Sequence, residues 1–245
     1  MDWMLLVVVA VFGLAGAVKG AVGLGLPPIA IGLLAVVMAP VEAAALIVIP
    51  SFLTNVWQML AGANLSRLVV RLWPMLACAV LATLAGTGWM SDANARIGTI
   101  LLGSVLALYA LSGLVKLHVT VAAPRQHWLG PLIGTTTGMA TAATGVFSIP
   151  VVPYLQAIGL EKDELIQAMG LCFTVSTVAL ALNLTFMGAL SPAIGIDVAF
   201  AVAAVVGGMW LGQRLRQSLD PSTFRFWFFL ALFGLGSFLV ARSVL

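Results

Sequence analysis

The chain is 245 residues long, 62% hydrophobic and 8% charged, with a formal net charge of +3. Soluble domains run nearer half apolar and a quarter charged, so these few charges cannot build a wetted exterior and a water-soluble fold is excluded. The positive excess sits in predicted loops, where it speaks to membrane topology and is no footprint for nucleic acid.

The N-terminal stretch "MDWMLLVVVAVFGLAGA" mimics a cleaved leader, with an apolar core and small residues at its end. Its only charge is Asp2, where a leader would carry lysine or arginine, so it is expected to belong to the mature protein. Hydropathy then gives six spans of the length that crosses a hydrocarbon core: 41–61, 68–90, 97–117, 164–187, 192–212 and 224–244. Ser191-Pro192 and Asp220-Pro221 place a capping side chain before a proline, and Asp163 can cap the span that follows it. Trp73, Trp89, Trp128, Trp210 and Trp227 fall near span ends, as an interfacial belt would. Cys78 and Cys172 lie within apolar runs without metal-ligand spacing, and neither a disulfide nor a metal site is expected.

Two regions, 3–39 and 128–158, are each too long for one span and are interrupted by Gly, Pro and Thr. Their arms, roughly 11–18 residues, have the length of re-entrant or broken segments. Sliding the sequence by about 122 residues pairs Gly16 with Gly138, Gly23 with Gly145, Pro28 with Pro150, Glu42 with Glu164 and Gly86 with Gly208. The expected fold is therefore an all-α polytopic membrane protein of two halves, 1–122 and 123–245, forming one integral membrane domain. Each half is a broken-helix hairpin plus three transmembrane helices, for 8 to 10 membrane segments in all.

If each broken region leaves and returns to one face, Arg67, Arg71, Lys116, Arg125, Lys162, Arg214, Arg216 and Arg225 share a side, and only Arg96 and Arg242 face the other. Counting each as a single crossing divides the same residues evenly. The positive-inside rule favours the hairpin, which makes the repeats inverted and puts both termini outside. Inverted repeats with interrupted helices point to a transporter whose substrate site lies where the two breaks meet near the midplane.

The segments "GLAGAVKGAVGLGLPPIAIGLL" and "GTTTGMATAATGVFSIPVVPYLQAIGL" resemble the duplicated Gly-rich motif of the TauE/SafE sulfite exporter family, with Leu24 separating Gly23 from Gly25 and Phe147 following Gly145 by two. The resemblance covers essentially the whole chain. It implies a multi-pass protein of the bacterial inner membrane that moves sulfite, a sulfonate or a related organosulfur anion, without a cofactor.

Candidate site residues follow from position and chemistry. Lys19 is the one basic residue inside an interrupted segment; it either faces an anionic substrate or snorkels to an interface. Helices restarting after Pro27-Pro28 and at Pro150 would offer free N–H groups to an anion, and Gly23, Gly25 and Gly145 could leave backbone donors accessible or simply shape packed turns. Ser51, Asn55 and Gln58 recur on one helical face. Thr174 and Thr177 lie on the equivalent helix, and Thr137, Thr141, Thr144 and Ser148 in the second break. The larger Asn55 and Gln58 lean towards lining a cavity, whereas any single Ser or Thr is better read as an interhelical bond.

Glu42, Glu164 and Asp197 sit in first turns, where a carboxylate complements the helix dipole. Asp92 and Arg96 are spaced as a helical pair, and His118 and His127 are expected in a loop. With no nucleophile–base pair, carboxylate pair or metal cluster within the spans, no enzyme is expected. An anion channel and an uptake permease for another small organic anion are the alternatives. The expected partners are a small anion, the lipid bilayer and, in a homo-oligomer, further copies of the chain.

Overall fold

The computed structural model describes residues 3–91, 94–115, 120–190, 195–215 and 220–244. Among them there are ten helices and no strand: α1 (Trp3–Val22), α2 (Leu26–Leu34), α3 (Pro40–Leu60), α4 (Leu65–Ala85), α5 (Ala95–Leu114), α6 (Ala123–Thr144), α7 (Val151–Ala157), α8 (Lys162–Phe186), α9 (Gly195–Leu215) and α10 (Pro221–Val244). All but α2, α6 and α7 are long and apolar enough to cross a membrane, which gives seven candidate spans. The protein is a polytopic all-α membrane protein. Asp2, Asp92, Lys116, His118, Ser191, Pro192 and Arg216, singled out above, lie outside the described residues.

The six simple spans appear as α3, α4, α5, α8, α9 and α10. The broken regions differ from expectation. Each is one long helix followed by one short helix, 20 and 9 residues in the first and 22 and 7 in the second. The prolines are the reason. Pro27 and Pro28 stand inside the first turn of α2, where a missing N–H breaks no helical bond, so the helix restarts at Leu26 and the interruption contracts to Gly23-Leu24-Gly25. Gly23 and Gly25 take φ of 82° and 107°, and Gly145 closes α6 at φ 73°, a region that L side chains avoid.

Other local assignments shift as well. The residue before α8 is Glu161, so Asp163 lies within the first turn and is not the cap. Asp220 does cap α10, accepting from Thr223 N at 2.9 Å. His127 is exposed within α6 and not in a loop, and Trp73 falls in the third turn of α4. Arg96 donates to the Ser243 carbonyl at 2.7 Å. Cys78 and Cys172 are free thiols, half-buried and buried.

The main packing pairs are α1 with α9, α4 with α6, α5 with α10, and α3 with α8. The small residues spaced 122 apart fill equivalent places in these pairs. A Cβ on Gly16 would stand 2.4 Å from Val205 O of α9, and one on Gly138 would stand 2.3 Å from Ala79 O of α4. Gly86 meets Ala142 of α6, and Gly208 meets Gly13 and Ala17 of α1. The α1–α9 and α4–α6 pairs thus each join an early helix to a late one, and glycine lets the paired backbones close to contact.

Candidate functional site

α3 and α8 form the centre of the bundle and run antiparallel: Gly170 packs on Met59, and Thr177 reaches Asn55 further back along α3. The late residues of α1 lie against the late residues of α3. Lys19, in the last turn of α1, is 3% exposed. Its ammonium donates to Thr54 Oγ1 at 2.9 Å and to Asn55 Oδ1. The Thr54 hydroxyl in turn donates to Pro50 O at 2.9 Å. Asn55, fully buried, turns its amide nitrogen the other way, to Ser51 Oγ at 3.0 Å and Thr177 Oγ1 at 3.3 Å. An ammonium has three donors, and two are occupied. No carboxylate pairs with Lys19; the one ion pair among the described residues joins Arg67 to Glu164 at 3.4 Å.

Gln58 extends this cluster to the first break. Its amide donates to Gly23 O at 3.2 Å and to Ile166 O of α8 at 3.0 Å. Lys19, Gly23, Asn55, Gln58 and Thr177 are therefore brought together on α1, α3 and α8, with Ser51 and Thr54 between them. Thr174 is buried on α8 but bonds its own helix at Gly170 O, 2.7 Å. Gly25 and Pro28 are buried, and Gly25 faces Val18 and Phe228 of α10.

The residues of the second break stand elsewhere. Gly145 abuts Ile31 of α2 and Ala44 near the start of α3, whereas Gly23 is tied to Gln58 in its last turn. The two α3 positions are separated by about 21 Å of helix at the usual rise. The breaks do not meet, because α1 and α6 each run most of the bundle's length, in opposite directions, before interrupting. Thr141 bonds Thr137 O at 2.7 Å, and Thr144 bonds Ala140 O and accepts from Val146 N. The Ser148 hydroxyl, just before the half-buried Pro150, is buried without a hydrogen-bond partner, as is Thr137 Oγ1.

Helix N-termini supply fewer donors than the sequence suggested. Proline at the second and third positions of α2 removes two of its free N–H groups, and α7 begins beyond Pro150 with only seven residues.

Several functional-looking residues were not signalled by sequence reasoning. Gln167 donates to Met59 O at 2.9 Å and Gly62 O at 2.8 Å and accepts from Asn64 N at 3.0 Å, stitching α8 to the end of α3. It lies seven residues before Thr174, on the same helical face, which was its available signal. Asn183 donates to Thr83 O at 2.6 Å, joining α8 to α4. Glu42, by contrast, is the first-turn carboxylate that the sequence indicated, and it accepts from Ala39 N at 3.2 Å at the start of α3. A mainly apolar cleft of about 270 Å³ between α3 and α8 is lined by Val48, Phe52, Val178 and Leu182, with Thr177 and Thr185 among its walls.

Comparison with known proteins adds two findings. The sequence model of a family described as "Sulfite exporter TauE/SafE" matches residues 8–239. The chain is also 28% identical over 239 residues, 95% of its length and 88% of the relative's, to a protein of Cupriavidus necator named "Probable sulfite/organosulfonate exporter TauE". No solved structure matches the chain.

Proposed function

The chain belongs to the TauE/SafE sulfite exporter family, and on that premise we propose that it is an inner-membrane transporter exporting a small sulfur-containing anion, sulfite or a sulfonate, bound at Lys19. The observation that carries this reading is the buried, carboxylate-free ammonium of Lys19 held by Thr54 and Asn55. An ionisable group within a span is costly and is retained where it serves transport. Here it supplies the one full charge among the described buried side chains, with Ser51, Gln58 and Thr177 as polar neighbours. The breaks at Gly23 and Gly145 lie towards opposite ends of α3 and serve as the yielding points on either side of that charge. Thr141, Thr144, Ser148 and Pro150 belong to the second of these, and Gly25 and Pro28 to the first.

Export needs no coupling ion on this reading. With the cell interior negative, about 2.3 kcal/mol per charge per 100 mV drives an anion outward. Both termini then face outward, with the Arg67–Glu164 end of the bundle inside, where most of the arginines gather. The test is counterflow of labelled sulfite and methanesulfonate in proteoliposomes at clamped potential. Saturable exchange that follows the potential and is lost in Lys19→Ala supports the reading; flux that demands a proton gradient at zero potential, or that ignores the substitution, counts against it.

A further inference from the structure

We infer that the site selects by charge state, carrying the monoanion of its substrate and rejecting the dianion. The inference rests on the assignment of Lys19 as the anion-binding group.

Among the described residues, Lys19 is the one charged side chain in the buried polar set. Every other described cation is exposed: Arg67 and Arg71 in α4, Arg96 in α5, Arg125 in α6, Lys162 in α8, Arg214 in α9, and Arg225 and Arg242 in α10. Several are already engaged. Arg67 pairs with Glu164, Arg71 bonds Gln126 and the Ile158 carbonyl, Arg96 and Arg242 hold backbone carbonyls, and Arg214 stacks on Trp210.

The elements packed around Lys19 bring no second charge to it. α2 carries none. The carboxylate of α3 is Glu42, at the opposite end of that helix from Asn55. Of the charges at the Lys19 end of the bundle, Arg214 of α9 stacks on Trp210 and Glu164 of α8 pairs with Arg67, whereas the Lys19 ammonium bonds Thr54 and Asn55. The cleft that Thr177 helps to line is mainly apolar.

The interior can therefore neutralise one negative charge and leaves the second uncompensated, in a medium where an unpaired charge is strongly disfavoured. The third ammonium proton, unused by Thr54 and Asn55, is the matching donor for one oxyanion oxygen. For sulfite the bound species is hydrogensulfite; a simple alkanesulfonate meets the same condition at any physiological pH because its acid has a single proton to lose.

The experiment is competition binding to the purified full-length protein, with methanesulfonate as the fixed monoanion, sulfate as the fixed dianion, and sulfite titrated through its second ionisation. Methanesulfonate corrects for any titration of the protein, so the quantity read is the ratio of sulfite to methanesulfonate affinity. It should fall tenfold per pH unit above the second ionisation of sulfite, with sulfate at least a hundredfold weaker than methanesulfonate. A ratio that stays flat or rises, or sulfate that competes as well as methanesulfonate and does so only with Lys19 present, overturns the charge rule and leaves the site standing. Anion binding that survives Lys19→Gln unchanged overturns the site and the charge rule together.

Discussion

Asn55 donates to Thr177 Oγ1 at 3.3 Å, and the two residues stand 122 positions apart, the same spacing that relates Gly16 to Gly138 and Glu42 to Glu164. Asn55 is thus in contact with its own counterpart at that offset. Lys19 bonds the other end of the same Asn55 side chain.

Replacing Asn55 by aspartate would set a carboxylate beside the Lys19 ammonium without changing shape. The buried pair would satisfy the lysine internally, and the anion would lose its partner. We expect anion affinity to drop at least tenfold while the thermal midpoint in detergent holds or rises. Retained affinity would mean that the ammonium does not contact the substrate.

Lys19→Ala removes a charge-assisted bond worth about 2 kcal/mol, or roughly thirtyfold in affinity. Lys19→Arg keeps the charge but not the compact geometry, and should retain measurable binding with weakened flux. Isothermal titration with methanesulfonate and vesicle counterflow read the two effects separately.

Gly16→Val and Gly138→Val should destabilise alike. Each introduced side chain meets a backbone carbonyl across an interface between the two halves, and overpacking costs about 1–3 kcal/mol. Thermal melts in detergent should show two similar downward shifts. A large shift for one and none for the other would separate the α1–α9 and α4–α6 contacts that the structure places as equivalents.

Gln167→Ala strips partners from the Met59 and Gly62 carbonyls and from Asn64 N. A buried polar group left unsatisfied costs about 1–3 kcal/mol, so a lower melting midpoint is expected, with faster hydrogen exchange confined to residues 59–64. Gln167→Glu preserves the acceptor for Asn64 and should lose less.

Much of the fold was legible because long apolar runs have one stable fate in a bilayer. The ends of α3, α5, α8 and α10 fall within a few residues of the expected spans. The broken regions were legible as breaks but not as proportions. Pro27-Pro28 reads equally as a stop or as a first turn, and only the positive φ at Gly25, invisible in sequence, decides for the first turn.

The site was half legible. Lys19, Asn55 and Gln58 stood out as polar residues in apolar helices, yet nothing in their spacing said that Lys19 would bond Thr54 and Asn55. The expectation that the two breaks meet failed because hydropathy does not report how far α1 and α6 travel before they turn. Gln167, Asn183 and the Arg67–Glu164 pair depend on which helices become neighbours, which is a property of the packed chain.

The counterpart of Lys19 under the same spacing is Thr141, which is neutral and bonded to its own helix at Thr137 O. The offset that pairs Gly16 with Gly138 and Glu42 with Glu164 thus leaves the lysine unmatched. Lys19 bonds the same Asn55 that touches its own counterpart Thr177, and a lysine at position 141, where Thr141 is fully buried, would add a second interior charge to the bundle.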